Sequence, residues 1–331
     1  MAKSQPLPLL LDRGVTAGPV GNQLVDKSQR VTGRFARGII GEQEAVLHSK
    51  PYMAFLKMKR CFGPMHTCSG FLIRGDVVVM AAHCRVKWSK GIVVLGAHNI
   101  RKREPRRQKI RVKHWIRHHE YNKMTESNDI ILLQVQPPSH HPALSDLTLL
   151  QALPHPITPS TVTSHCSSLF TSPLHPTLLS LPRQLRNKAE LNDWVQPISL
   201  PHPWPEVPVG TECNVSGWGR IQVNSSKRSD VLQDVVLVVM ADEVCEHNLT
   251  KQYDAVSMLC AGDPERKKST LKGDSGGPLV RVGVPQGIVS WGPINGAFPE
   301  VYARVSWFVH WIQTVMKELK PPDAPGVSSQ A

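Results

Sequence analysis

A chain of 331 residues with 40% hydrophobic content is long enough to bury a sizeable core, and no apolar run in it reaches the length of a bilayer span. Its net charge of +13 favours anionic partners, yet none of the modular nucleic-acid signatures occurs, which argues against specific nucleic-acid binding. Seven cysteines with no Cys-x-x-Cys pair and no His-Glu-x-x-His string point away from a metal site and toward an oxidising compartment.

Residues 1–38 read as an N-terminal extension or pro-segment without a signal peptide, because Pro8-Leu9-Leu10-Leu11 is too short for an export core and runs into Asp12-Arg13. The stretch 39–136 opens on Ile39-Ile40-Gly41-Glu42 and carries the string Met80-Ala81-Ala82-His83-Cys84. Between Arg101 and Arg117 nine basic residues face one acid, Glu104, and further on Ser127-Asn128-Asp129 precedes the apolar run Ile130-Ile131-Leu132-Leu133. Segment 137–183 is rich in Pro, Ser, Thr, His and Leu and nearly uncharged. It reads as an insertion, either a flexible excursion or retained non-coding sequence.

The stretch 184–320 holds Ser216-Gly217-Trp218-Gly219 and the valine-rich Asp234-Val235-Val236-Leu237-Val238-Val239, whose period of two predicts a strand. Many such short runs, punctuated by Gly, Pro and Asn, predict an all-β protein. One helix is expected near the end, where Phe308, Trp311, Ile312, Val315 and Met316 recur at helical spacing as core residues. Residues 321–331 read as a disordered tail. Sequons stand at Asn214, Asn224 and Asn248, the first on an expected buried strand and the others near loops.

The chemistry is concentrated in Gly273-Asp274-Ser275-Gly276-Gly277-Pro278. Glycines around Ser275 let the backbone bend tightly and leave its hydroxyl open to a substrate carbonyl. The N–H groups of Gly273 and Ser275 are placed to hold the oxygen that becomes negative during attack. A serine needs a base, for which His83 is suited, and the base needs a carboxylate to fix its tautomer, for which Asp129 is suited. The chain order His83, Asp129, Ser275 is that of chymotrypsin and differs from subtilisin and the α/β-hydrolases.

These strings, with Pro51-Tyr52-Met53-Ala54, Leu95-Gly96-Ala97-His98-Asn99-Ile100 and Phe308-Val309-His310-Trp311-Ile312, resemble the trypsin/chymotrypsin family of serine proteases. Within it they are closest to granzymes, cathepsin G, mast-cell chymases and duodenase-like enzymes. The resemblance implies two six-stranded antiparallel β-barrels with a C-terminal α-helix and a cleft between them. It implies disulfides Cys68–Cys84 and Cys245–Cys260, and it leaves Cys61, Cys166 and Cys213 without mates, since Arg281 stands where the partner of Cys213 would be. It also implies cutting between Gly38 and Ile39, after which the Ile39 amine pairs with Asp274.

For the substrate, the resemblance places Ser269 at the pocket floor, Ser290, Trp291 and Gly292 along its wall, Lys272 on its rim and Glu300 projecting into it, with Thr270 a further substrate-binding residue. A carboxylate there would attract Lys or Arg while leaving room for aromatic residues, and would reject acids. The expected function is therefore a serine endopeptidase of mixed tryptic and chymotryptic preference, needing no cofactor. Its expected partners are polypeptide substrates, serpin inhibitors and a sulfated proteoglycan such as heparin on the belt from Arg101 to Arg117, and its expected location is a secretory granule or outside the cell. The rival is a catalytically weak cationic granule protein that binds glycosaminoglycan or microbial surfaces through the same belt.

Overall fold

Alternating apolar residues dictate the architecture. In strand β9 (Gln233–Val239), Val235, Leu237 and Val239 are buried while Val236 and Val238 are half-buried, so one face of the pleat turns to a core. A sheet with one apolar face can hide it by closing on itself, and this chain does so twice. The computed structural model describes residues 43–59, 63–87, 89–136, 188–203, 207–220, 227–249, 251–293 and 298–319.

The first barrel comprises β2 (Met53–Lys59), β3 (His66–Arg74), β4 (Val77–Met80), β5 (Lys90–Leu95), β6 (Gln108–Arg117) and β7 (Ile131–Gln136), closed in the order β2-β3-β4-β7-β6-β5. All its pairings are antiparallel. The second comprises β8 (Glu212–Gly217), β9, β10 (Met258–Gly262), β11 (Pro278–Arg281), β12 (Val284–Trp291) and β13 (Glu300–Arg304). The order β9-β10-β13-β12-β11-β8 is closed by the pairing of β8 with β9, and the two-residue β1 (Gln43–Glu44) lies along β9. This is the chymotrypsin-like fold of two six-stranded antiparallel barrels.

Helix α2 (Val305–Glu318) is the one expected from periodicity. It buries Phe308, Val309, Ile312 and Val315 and half-buries Trp311 and Met316. Its carbonyl at Met316 accepts from Arg74 of β3, and Phe308 and Trp311 pack on His118, just past β6. A second helix, α1 (Asp242–Asn248), accompanies it and was not anticipated. Its seven residues are too few for a periodic signal, and Cys245 ties it to Cys260 on β10. Two acids in its first turn favour the helix dipole and were the available clue.

Cys68 of β3 and Cys84 are joined as expected. Cys213 is a free buried thiol on β8, pushed up to about 11 by burial, while Arg281 is exposed at the end of β11. Asn214 does lie on β8, but its side is exposed rather than buried. The expectations for Ile39 and the Gly38 bond, the insertion 137–183, Cys61, Cys166, Asn224 and the tail fall outside the described residues.

Candidate active site

His83 sits in a single 3-10 turn, Ala82–Cys84, that follows β4, and the Cys68–Cys84 bridge anchors this turn to β3. Asp129 immediately precedes Ile130 and β7, with Asn128 before it at φ 53, so the carboxylate points back into the protein and is 1% exposed. Two bonds join these elements, and a third reaches Asp129 from Ser290 of β12. His83 Nδ1 lies 2.7 Å from Asp129 Oδ2, the His83 backbone N–H donates to Oδ1 at 2.8 Å, and the Ser290 hydroxyl donates to Oδ2 at 2.5 Å. An ionised carboxylate only accepts, so Nδ1 carries the ring proton and Nε2 is left with a free lone pair.

Burial alone would lower the His83 pKa, but the Asp129 charge and its hydrogen bond outweigh it and hold the imidazole above its ordinary value. Burial pushes Asp129 the other way, upward, and the imidazole with the donors from His83 and Ser290 brings it below the usual carboxylate range. The pair is thus set to stabilise an imidazolium.

Ser275 is half-buried and lines the same cleft as His83, which has a volume of about 450 Å³. No hydrogen bond joins the Ser275 hydroxyl to the imidazole among the described residues, a looseness common before substrate arrives. The loop that carries it is pinned from the other barrel: Ser69 of β3 donates its N–H to the Ser275 carbonyl at 2.9 Å and its hydroxyl to the Gly273 carbonyl at 3.3 Å. Inside the loop the N–H groups of Asp274, Gly276 and Gly277 take backbone acceptors, whereas those of Gly273 and Ser275 take none among the described residues.

Glycine is required twice here. Gly273 has φ 119, and a Cβ at Gly276, where φ is 83, would stand 2.4 Å from the Ser69 carbonyl oxygen. Gly276→Ala is therefore expected to lose about 1–3 kcal/mol through backbone strain alone, and more if Ser69 has to move. Urea unfolding measures it, and an unchanged midpoint would refute the claim.

Asp274, 2% exposed, turns away from the cleft and accepts from the N–H groups of Gly219 at 2.7 Å and Leu271 at 3.1 Å. Burial raises its carboxyl to about 7; the two backbone donors and the more distant Arg228 pull against the rise, and neighbouring Glu300 adds to it.

Glu300 lines the cleft, as do Thr270, Lys272, Ser290, Trp291 and Gly292. Ser269 does not: it is buried behind Glu300 and donates to Oε1. Oε1 also accepts the Thr270 N–H at 2.6 Å, and Oε2 accepts the hydroxyls of Thr270 at 2.5 Å and Tyr302 at 2.8 Å. The carboxylate therefore shares its charge with four donors from the residues packed around it. Burial holds its pKa above the ordinary value although each of those donors acts to lower it.

Four groups escaped the sequence reading: the Ser290 hydroxyl on Asp129, Ser69 under the nucleophile loop, and Glu126 and Lys251, which both line the cleft. His83, Glu126 and Asp129 form a metal-competent cluster with ligand atoms within 4.8 Å of one another. Its donors are committed, Asp129 to His83 and Ser290, and Glu126 to Lys251 at 2.9 Å.

A family profile described as Trypsin matches residues 39–168 and 179–312. The chain is 40% identical over 282 residues to duodenase-1 of Bos taurus, covering 85% of this chain and 90% of the relative. It is 41% identical over 280 residues to granzyme B of Homo sapiens, covering 84% and 91%. Human cathepsin G is 37% identical over 290 residues, covering 87% and 91%. A solved structure described as "Structure of GrC" superposes with a TM-score of 0.66 at 32% identity, covering 84% of this chain and 100% of that one. The chain belongs to the trypsin family of serine proteases.

Proposed function

We propose that this protein is a serine endopeptidase working through an acyl-enzyme. The observation that carries the reading is the Asp129-held imidazole in the cleft that Ser275 also lines; its Nε2 has beside it only the protonless disulfide sulfur of Cys84, 3.8 Å away, so its lone pair is available. Ser275 Oγ attacks the scissile carbonyl carbon while its proton passes to His83 Nε2. The carbonyl oxygen becomes an oxyanion against the free N–H groups of Gly273 and Ser275. The C–N bond then breaks, the imidazolium gives its proton to the departing amine, and water repeats the sequence to release the acid. A fluorophosphonate probe tests this: the protein cut after Gly38 should become covalently modified at Ser275, and absence of modification would refute the reading.

The preference for the residue before the scissile bond is mixed, tryptic and chymotryptic. What supports it is that Glu300 faces the cleft while its charge is partly spent on Ser269, Thr270 and Tyr302. Because burial holds this carboxyl above its ordinary pKa, the group ionises only above the usual carboxylate range, and attraction for Lys and Arg grows as pH rises there. Glu300→Gln should lower the ratio of cleavage after Arg to cleavage after Phe by about tenfold, and should flatten its pH dependence. Peptides varying only that residue give the ratio, and efficient cutting after Asp would overturn the preference.

Lys272 and Arg220 also line the cleft, and their charge favours acidic residues in the leaving group. Secretion or granule storage and inhibition by serpins accord with the two disulfides and with the similarity to cathepsin G and granzyme B. Sulfated proteoglycan is the further partner. Glu104 accepts the N–H groups of His98 and Asn99, and this pins a loop whose Lys102 and Arg103 face solvent. On β6, Lys109, Arg111, Lys113 and Arg117 do the same. Arg101 and Arg106 are paired to Asp230 and Asp193, so the strand supplies most of the uncompensated charge.

A further inference from the structure

Next to the catalytic pair, the cleft is crossed by a charge contact that the proposed mechanism does not use. Glu126 lies at φ 58 in the loop before Asp129, and its Oε1 is 2.9 Å from Lys251 Nζ. Lys251 follows α1 in the second barrel, and its ammonium also stands 5.3 Å above the Trp291 ring. Glu126, Lys251 and Trp291 all line the cleft together with His83. Trp291 belongs to the wall of the pocket for the residue before the scissile bond, so the crossing lies on the acyl side of the cut.

A carboxylate beside an indole face is the chemistry that holds an ammonium or guanidinium, one supplying charge and the other its quadrupole. The two partners differ in freedom. Glu126 is 19% exposed and Lys251 is 39% exposed. Lysine carries its charge on a flexible four-carbon stem, so Lys251 is the member able to leave.

We infer that Glu126 and Trp291 form a subsite for a cationic substrate side chain, and that Lys251 occupies it in the free protein as a built-in competitor. A substrate lysine or arginine two to four residues before the scissile bond takes the place of Lys251. Glu126 then keeps a cationic partner, and Lys251 returns to water at little cost. An acidic side chain in that place meets Glu126, and an apolar one leaves the pair shut across its path. The subsite turns the enzyme toward substrates basic upstream of the cut, whatever fills the main pocket. The inference rests on the peptidase reading.

The test uses the protein cut after Gly38 and begins with fluorophosphonate modification of Ser275. Peptides with a fixed residue before the scissile bond then carry lysine or norleucine at the second, third or fourth position upstream. The native protein should show a kcat/KM ratio of lysine to norleucine above one at one of these positions. Lys251→Gln should raise it about three- to tenfold by removing the competitor. Glu126→Gln should bring it to about one. Opposite movements distinguish a subsite from a general disturbance, which would lower both. If Ser275 is modified but neither variant moves the ratio, the inference fails and the peptidase reading stands. If Ser275 is not modified, both fall.

Discussion

Asp129→Asn is expected to leave the protein folded and to lower kcat by about 10⁴-fold, the size established for the same triad in the family's type enzyme rather than derived from this site. The reason is the proton on the ring. Asp129 receives three donors, and the one that matters is Nδ1–H of His83. An amide can present its NH2 to that nitrogen, which drives the ring proton to Nε2 and removes the lone pair that Ser275 needs. The remaining Oδ1 can still take the His83 backbone N–H, so the turn at Ala82–Cys84 keeps its place. Stopped-flow hydrolysis gives kcat, and circular dichroism checks the fold. Activity within tenfold of native would end the role assigned to Asp129.

The second large effect is expected from cutting between Gly38 and Ile39. Asp274 is a buried carboxyl whose acceptors are used by the backbone of Gly219 and Leu271, and burial holds it at about 7. In the uncut chain the folded state therefore binds a proton there that the unfolded state has released above the ordinary carboxylate value of about 4. Because the native state binds more protons in that window, stability falls as pH rises through it, by at most about 4 kcal/mol. A freed Ile39 amine delivered to Asp274 would stabilise the charged form and depress the pKa. The same window would then lose its downward slope.

Asp274 is also the residue between the two N–H groups assigned to the oxyanion. Ordering it should raise the rate of Ser275 modification by about 10²–10³-fold, the worth of one such donor. Urea midpoints at pH 5 and pH 8, with labelling rates for both forms, decide the matter. Equal pH dependence and equal labelling would remove the activation pair.

What could be read from the chain was whatever is encoded by neighbours. Tight turns demand small residues, so the run from Gly273 to Gly277 disclosed the nucleophile, and φ 119 and φ 83 at Gly273 and Gly276 show why. Period-two valines disclosed β9, and helical spacing disclosed α2, because both patterns lie within one element. Contacts made by the meeting of distant loops left no such trace. Glu126 and Lys251 are 125 positions apart and meet because the two barrels face each other across the cleft. The Ser290 hydroxyl reached Asp129 from 161 positions away, at a residue that the pocket wall had already accounted for. Glu300 was visible, but its four donors come from Ser269, Thr270 and Tyr302, and only the hydrogen bonds made where the loop meets β13 show how far its charge is shared.

The packing of α2 has a bearing on how the molecule comes into being. A ribosome delivers the strands of the first barrel early, complete with the imidazole and its carboxylate. The residues that clamp His118 and receive Arg74 emerge near the finish, in Phe308, Trp311 and the Met316 carbonyl. The first barrel therefore gains the brace that this helix lays across it only when almost the whole chain has been made.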